Sequence, residues 1–207
     1  MILMKQTPSI GCLVMAAGNA KRFGDNKLAA VVDGKTLIER ALDAVPKKLF
    51  ARVVVVTQYA EIEALAVERG YTVLWNRHPD WGISHTISLG TNELQKDCDA
   101  ICYMVSDQPL LKYESIAGAI SLYREHPDCI VGLSHNGKRG NPCIFPREFF
   151  PELLDLDEDH GGNTVIRRHE DRLLLYEVDP HELTDVDTRE ALSDLVASQN
   201  SGKSKEV

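Results

Sequence analysis

The chain has 207 residues, of which 43% are hydrophobic and 26% are charged, and its formal net charge at pH 7 is −8. These values are ordinary for a globular protein, and folding at this length buries roughly 70% of the unfolded surface, so we expect one sizeable core. The acidic balance argues against contact with a nucleic-acid backbone, although a local basic loop can still bind a small anion. No apolar run approaches the ~18 residues of a membrane span, and the N-terminus lacks the apolar block of a secretory signal. We therefore expect a cytoplasmic protein that contacts neither nucleic acid nor membrane.

Short apolar runs recur along the chain and predict β-strands. They are rich in β-branched residues and mostly do not alternate, which is typical of strands covered on both faces. These runs are residues 10–15, 53–57, 72–75, 100–105, 129–133, 143–145 and 173–178. Apolar residues at helical spacing predict helices at residues 36–45, 61–69, 83–94, 114–124 and 189–196. Alternating strands and helices imply right-handed crossovers, so we expect a three-layer α/β fold with a mainly parallel central sheet.

The remaining segments predict loops and a tail. Residues 135–142 form a turn-rich connector, and residues 154–163 are acidic and include Gly-Gly. No linker divides the chain, so we expect residues 1–197 to form a single domain and the polar residues 198–207 to form a flexible tail. The five cysteines form an odd set without a CxxC pair, which favours reduced, partly buried thiols over disulfides or a metal site.

A cationic loop, VMAAGNAKRFGDNK, begins at the end of the first predicted strand. Ligands of open α/β sheets bind beyond the carboxyl ends of the strands, which is where this loop lies. The small residues Ala16, Ala17 and Gly18 let the backbone approach a ligand and present N–H donors to phosphate oxygens. Arg22 and Lys27 can add charge-assisted contacts to the same phosphates. The alternative for such a loop taken alone is a solvated basic turn.

Two common phosphate-binding motifs do not describe this loop. A Walker A loop needs four residues between its glycines, followed by Lys and Ser or Thr. Here five residues separate Gly18 from Gly24, and Asp25 comes next. The GxGxxG pattern of dinucleotide-binding proteins is absent as well.

Two acidic segments follow later predicted strands. Asp107 comes directly after the strand at residues 100–105, where a carboxylate can hold Mg²⁺ together with phosphate oxygens and water. Its alternative role is to cap the next helix. Asp185 and Asp187 precede the last predicted helix; we expect one of them to cap that helix and the other to be free for a metal ion.

Six motifs are spread over about residues 10–196, namely VMAAGNAKRFGDNK, NRHPDWGISHTISLG, SDQP, GNPCIFP, DEDHGGNTVIRRH and DVDTREAL. Through these motifs the chain resembles the MobA-like nucleotidyltransferases of molybdenum-cofactor synthesis. The (L/M)AAGxxxRxGxxK loop is specific for nucleotidyltransferases with a glycosyltransferase-A-like fold, also called the nucleotide-diphospho-sugar transferase fold, which is Rossmann-like. Ala-Ala-Gly, rather than Ala-Gly-Gly, favours the branch similar to molybdenum cofactor cytidylyltransferase.

The resemblance implies roles for individual residues. The nucleotide would be lined by Ala16, Ala17 and Gly18, with Arg22 on the outer phosphates and Lys27 near the reacting α-phosphate. Asp107 and Asp187 would hold Mg²⁺, and Lys27, Arg22 and Asp107 would be the catalytic set. The base side would include Ser84 and Thr86. The acceptor pocket would be bordered by Gly140, Asn141, Pro142, Asp159 and Gly161.

The resemblance also implies the reaction. It is a Mg²⁺-dependent transfer of CMP from CTP to the terminal phosphate of molybdopterin, which yields the dinucleotide cofactor and pyrophosphate, with a molybdenum hydroxylase as a possible client. Three positions depart from the family pattern: His85 replaces a common serine, Asn141 a usual histidine and Asn163 a frequent arginine. His85 touches the base side and the other two touch the acceptor side, so the acceptor is less well determined than the reaction class. Three alternatives stay open: guanylyl transfer, transfer to a sugar or polyol phosphate, and a non-catalytic cofactor carrier.

Overall fold

A computed structural model describes residues 7–19 and 26–203, with side chains as far as residue 197. The strands within these ranges are β1 (Ile10–Ala16), β2 (Val31–Val32), β3 (Lys35–Thr36), β4 (Arg52–Thr57), β5 (Thr72–Trp75), β6 (Ala100–Val105), β7 (Ile130–His135), β8 (Lys138–Pro146) and β9 (Leu173–Glu177). The α-helices are α1 (Leu37–Asp43), α2 (Ala60–Glu68), α3 (Ile83–Leu94), α4 (Tyr113–Glu125), α5 (Phe150–Leu154), α6 (Gly162–Arg168) and α7 (Arg189–Lys203). The predicted strands and helices are all found, with ends that differ by a few residues.

Seven of these strands form one sheet in the order β5-β4-β1-β6-β8-β7-β9, and β2 pairs with β3 in a small hairpin. Strand β8 runs antiparallel to both of its neighbours, whereas the other neighbouring pairs of the large sheet are parallel. The central strands β1, β4 and β6 are buried along nearly their whole length. Helices cover both faces, so the predicted three-layer, mainly parallel α/β fold is confirmed.

Alternate residues of β1 supply the two cores. Cys12 and Val14 face the core under α1, α2 and α4, and Leu13 faces the core under α3, α5 and α6. Such a strand has no polar face, because neither of its sides meets solvent. This explains why residues 10–15 form a continuous apolar run in the sequence.

Helix α3 lies unusually close to β1 at Gly90. A Cβ atom placed on Gly90 would come within 2.3 Å of the Leu13 side chain, which is fully buried and has no space to yield. Glycine is therefore required here by packing, and it brings the helix that carries Thr86 down onto the strand.

We expect Gly90→Ala to lower the free energy of unfolding by roughly 1–3 kcal/mol, the usual cost of overpacking a core. Alanine otherwise stabilises a helix interior by about 1 kcal/mol relative to glycine. A net loss of stability would therefore show that the new Cβ atom clashes with Leu13. Urea denaturation measures it, with the exposed Asn92→Ala on the same helix as a control. A Gly90→Ala protein as stable as the control would contradict this packing argument.

The predicted connector at residues 135–142 is wrong, because most of it is strand. A two-residue turn at Asn136 and Gly137, with φ of 49° and 75°, joins β7 to β8 as a tight hairpin. Positive φ at both positions is typical of the type I′ turn that Asn-Gly favours. Strand β8 therefore begins at Lys138, five residues before the predicted strand, and includes Gly140 and Asn141, which are weak strand formers.

The acidic segment predicted as a loop ends at α6, which begins at Gly162. Helix α7 continues to Lys203 and so enters the segment predicted as a tail, while residues 204–207 lie outside the described residues. All five cysteines are free thiols, and four of them are buried. Among the helices of the described ranges, none has both the length and the apolar character needed to cross a membrane.

Candidate active site

A cavity of about 480 Å³ opens where β1 and β6 end, and we call it the first cavity. The parallel strands β4, β1 and β6 are neighbours, so the loops that follow them meet at one edge of the sheet. Several predicted site residues line this cavity, namely Ala17, Gly18, Lys27, Thr86, Asp107, Asp159 and Asp187. Segments far apart in the chain are therefore brought together in one cavity lining.

The ammonium group of Lys27 lies between two carboxylates. Its Nζ donates to Asp107 Oδ2 at 2.7 Å and to Asp187 Oδ1 at 2.9 Å. The lysine is held in place by a short 3-10 turn in which Asn26 accepts a hydrogen bond from the backbone N–H of the buried Leu28. Burial alone lowers the pKa of Lys27, but the charges and hydrogen bonds of the two aspartates outweigh it, so the pKa is raised. The ammonium is thus charged at neutral pH and offsets both carboxylates.

One carboxylate oxygen of this group has no partner. Asp107 Oδ1 is buried and makes no hydrogen bond with any described residue, and Asp107 does not cap α4. An unpaired buried carboxylate oxygen is costly, and such oxygens are ligands that hard divalent cations prefer. Within the described ranges no cluster of three or more His, Cys, Asp or Glu side chains could enclose a metal ion. Asp107 and Asp187 therefore fit a cation that also takes oxygens from a bound ligand.

The structure changes the prediction for the aspartates that precede α7. Neither of them caps the helix, because Thr188 Oγ1 accepts the hydrogen bond from the backbone N–H of Ala191. Asp185 Oδ1 instead accepts from Gln108 Nε2 at 2.9 Å, and Asp187 faces Lys27. Burial, and then the charge of Asp107, raise the pKa of Asp185. Asp187 is accordingly the one that joins the lysine in the first cavity.

A second cavity of about 340 Å³ adjoins the first and shares Met15, Ile83, Val105 and Asp159 with it. Its interior is formed by buried, mainly apolar side chains, namely Ile87, Tyr103, Cys143, Phe145 and Ile166. Burial raises the pKa of the Cys143 thiol to about 12, so this wall carries no charge. The mouth is polar and includes Asn141, His160, Asn163 and Arg167.

Some of the predicted site residues line one of the two cavities, and others do not. Asn141, Asp159 and Gly161 line the second cavity, whereas Gly140 and Pro142, which belong to β8, are not in its lining. Thr86 lines the first cavity and accepts a hydrogen bond from Asn76 Nδ2 at 3.1 Å. Two other predicted nucleotide contacts, Ala16 and Ser84, are buried and line neither cavity, and Arg22 lies outside the described residues.

Residues 12–173 match the family of the MobA-like NTP transferase domain. The chain belongs to this family. Purine catabolism protein PucB of Bacillus subtilis (strain 168) is 25% identical to the chain over 197 residues, which are 89% of this chain and 95% of PucB.

Two solved structures share the fold of this MobA-like chain at low sequence identity. Rv0371c from Mycobacterium tuberculosis H37Rv has a TM-score of 0.78 at 20% identity, over 92% of this chain and 99% of the other. The structure of CMP:2-keto-3-deoxy-manno-octonic acid synthetase complexed with CTP has a TM-score of 0.69 at 14% identity, over 94% and 99% of the two chains. The predicted nucleotide-diphospho-sugar transferase fold is confirmed, and the chain is a MobA-like nucleotidyltransferase.

This MobA-like chain also uses residues that sequence reasoning missed. Gln58 Nε2 donates to the Ala17 carbonyl at 2.8 Å and to Asn19 Oδ1 at 2.9 Å. Asn19 Nδ2 in turn donates to Asp80 Oδ1 at 2.8 Å, which links the loop after β1 to the segment before α3. Its position in the sequence could have indicated this role, because Gln58 comes directly after β4 and so lies at the same edge of the sheet. The network fixes the loop that lines the first cavity.

Proposed function

We propose that the chain is a Mg²⁺-dependent CTP:molybdopterin cytidylyltransferase. It transfers CMP from CTP to the terminal phosphate of molybdenum-loaded molybdopterin and releases pyrophosphate. The observation that carries this proposal is the contact of Lys27 with Asp107 and Asp187 in the first cavity, beside a carboxylate oxygen that has no partner among the described residues. The ammonium group can contact the phosphates of a nucleotide, and the two carboxylates can hold a metal ion beside them.

The first cavity takes the nucleotide in this proposal. Ala17 and Gly18 line it, the buried Ala16 precedes them at the end of β1, and Arg22 is assigned to the outer phosphates. An oxygen of the acceptor phosphate forms a bond to the α-phosphorus as the bond to the pyrophosphate oxygen breaks. Because every reactant is anionic, the rate depends on positive groups that are already in place.

Lys27 changes partners in this mechanism. In the structure its ammonium offsets the charges of Asp107 and Asp187. These two carboxylates are the proposed ligands of Mg²⁺, which when bound supplies the charge that stabilises the phosphates and the leaving group. Lys27 is then free to donate to the oxygens of the α-phosphate.

The second cavity takes the acceptor. Its buried walls, which include Tyr103, Phe145 and Ile166, suit a flat heterocycle better than a polyol, whose hydroxyl groups would lose hydrogen bonds there. This supports molybdopterin over a sugar phosphate or polyol phosphate. Asp159 lies at the boundary of the two cavities, and Asn141 and Gly161 lie on the acceptor side.

Cytidine is proposed as the base on two grounds. The loop carries Ala-Ala-Gly, which favours the cytidylyltransferase branch, and the structurally similar CMP:2-keto-3-deoxy-manno-octonic acid synthetase is described in complex with CTP. Thr86 offers a hydroxyl in the first cavity, and Ser84 lies on the same helix.

Pyrophosphate release tests the proposal when it is measured separately with each of the four ribonucleoside triphosphates, Mg²⁺ and molybdenum-loaded molybdopterin. We expect release with CTP that depends on the acceptor and stops when EDTA removes the metal. Release with GTP alone would overturn the base assignment. No release with any nucleotide, despite binding of molybdopterin, would favour a cofactor carrier.

A further inference from the structure

Arg167 places a guanidinium at the mouth of the second cavity. Its side chain is exposed and makes no hydrogen bond or ion pair with any described residue. Two arginines close to it in sequence differ in this respect: Arg168 Nη1 lies 3.3 Å from Glu152 Oε2, and Arg172 Nη2 lies 2.6 Å from Glu148 Oε1. Arg167 alone among these three keeps its donors available for a ligand.

The other cationic groups of the two cavities already have partners. Lys27 contacts two aspartates in the first cavity, and His160 contacts Asp157 Oδ1 at 2.8 Å beside the second. Asp159 lines both cavities but forms no ion pair with Arg167 among the described residues. Within the described linings, Arg167 is thus the cation that a bound anion meets without displacing a carboxylate.

Arg167 and the reacting groups lie in different cavities. It lines the second cavity and not the first, where Lys27 and Asp107 are found. The acceptor phosphate that attacks the nucleotide must reach the first cavity, so Arg167 is placed to meet another part of the acceptor. Asn163, one helical turn earlier on α6, lines the same mouth and adds an amide donor.

We propose that Arg167, assisted by Asn163, binds a second anionic group of the acceptor, distinct from the phosphate that receives the nucleotidyl group. This inference rests on the proposed function and narrows the acceptor to a molecule that carries a second acidic group apart from the phosphate that attacks the nucleotide. The second group is a thiolate, an oxyanion or a carboxylate, because the planar guanidinium fork donates to two acceptor atoms of such a group at once.

The binding test uses two fluorescent probes that differ by one charge, pterin-6-carboxylate and uncharged pterin. Equilibrium dialysis of the full chain is expected to show that the wild type binds the carboxylate about fivefold more tightly, the upper range for an exposed ion pair. Arg167→Gln should bind both probes equally. Arg168→Gln is the matched control, since its guanidinium is on the same helix but faces Glu152, and it should keep the preference.

Turnover provides a second measurement with molybdenum-loaded molybdopterin. Arg167→Gln is expected to raise the KM for this acceptor about fivefold and to leave kcat and the KM for CTP within about twofold of wild type. A structural defect would instead change all three.

The outcomes separate this inference from the proposed function. Failure of the wild type to release pyrophosphate refutes the proposed function. Equal binding of the two probes by the wild type, a preference that survives in Arg167→Gln, or no binding of either probe overturns the role of Arg167. An unchanged KM for the acceptor in an active Arg167→Gln enzyme overturns it as well.

Discussion

Replacing Asp107 by asparagine is expected to lower the rate of pyrophosphate release by about 10²–10³, the usual loss on removing one positioned charged group from a transition state. Asparagine keeps the size of the side chain but removes the negative charge of a carboxylate whose Oδ1 has no hydrogen-bond partner among the described residues. The remaining activity should need a higher concentration of Mg²⁺. Steady-state rates over a Mg²⁺ titration measure both effects.

We do not expect the lower rate of Asp107→Asn to come from a folding defect. Lys27 keeps its contact with Asp187 in Asp107→Asn, so the free energy of unfolding should change by less than about 1 kcal/mol. Asp43→Asn is the matched control, because Asp43 also pairs with a lysine, Lys35, but on the surface and away from both cavities. An Asp107→Asn enzyme with normal Mg²⁺-dependent turnover would falsify the metal assignment.

Replacing Lys27 by methionine is expected to lower turnover by a similar factor, about 10²–10³, but without rescue by added Mg²⁺. The lost group acts on the phosphate of the nucleotide, and a metal ion held by the aspartates cannot take that position. The same substitution leaves Asp107 and Asp187 close together without their cation.

This second consequence gives a measurement independent of activity. We expect Mg²⁺ without nucleotide to raise the Tm of Lys27→Met by more than it raises that of wild type, because the ammonium no longer competes for the carboxylates. Lys35→Met, which removes an exposed lysine from its pair with Asp43, should respond to Mg²⁺ as wild type does. A Lys27→Met protein indifferent to Mg²⁺ would show that the two aspartates do not bind the ion.

The features predictable from sequence were those set by local patterns. The apolar runs of β1, β4 and β6 are continuous because both faces of these strands are buried. Such a run can be recognised from one sequence alone. Parallel order then places the loops of Lys27 and Asp107 at one edge of the sheet. Their proximity follows from topology, although no local pattern shows that the two side chains pair directly.

The features not predictable from sequence depend on tertiary contacts. Gly140 and Asn141 belong to β8 because the pairing of this strand with β7, in which Gly140 lies opposite Leu133, outweighs their weak strand propensity. Thr188 caps α7, while Asp185 accepts a hydrogen bond from Gln108 and Asp187 accepts one from Lys27. These two donors lie far from the aspartates in the chain, so no local pattern indicates the contacts. The role of Gln58 likewise depends on the path of the loop after β1.

A crystal structure with Mg²⁺ and the α,β-methylene analogue of CTP, which cannot release pyrophosphate, tests the proposed active site without relying on kinetics. We expect the metal ion on Asp107 and Asp187, and Lys27 Nζ turned from these carboxylates to an oxygen of the α-phosphate. The cytosine should lie on the side of Thr86, and the second cavity should stay open for the acceptor. A nucleotide outside the first cavity, or one that places its γ-phosphate against Lys27 and the metal, would contradict it.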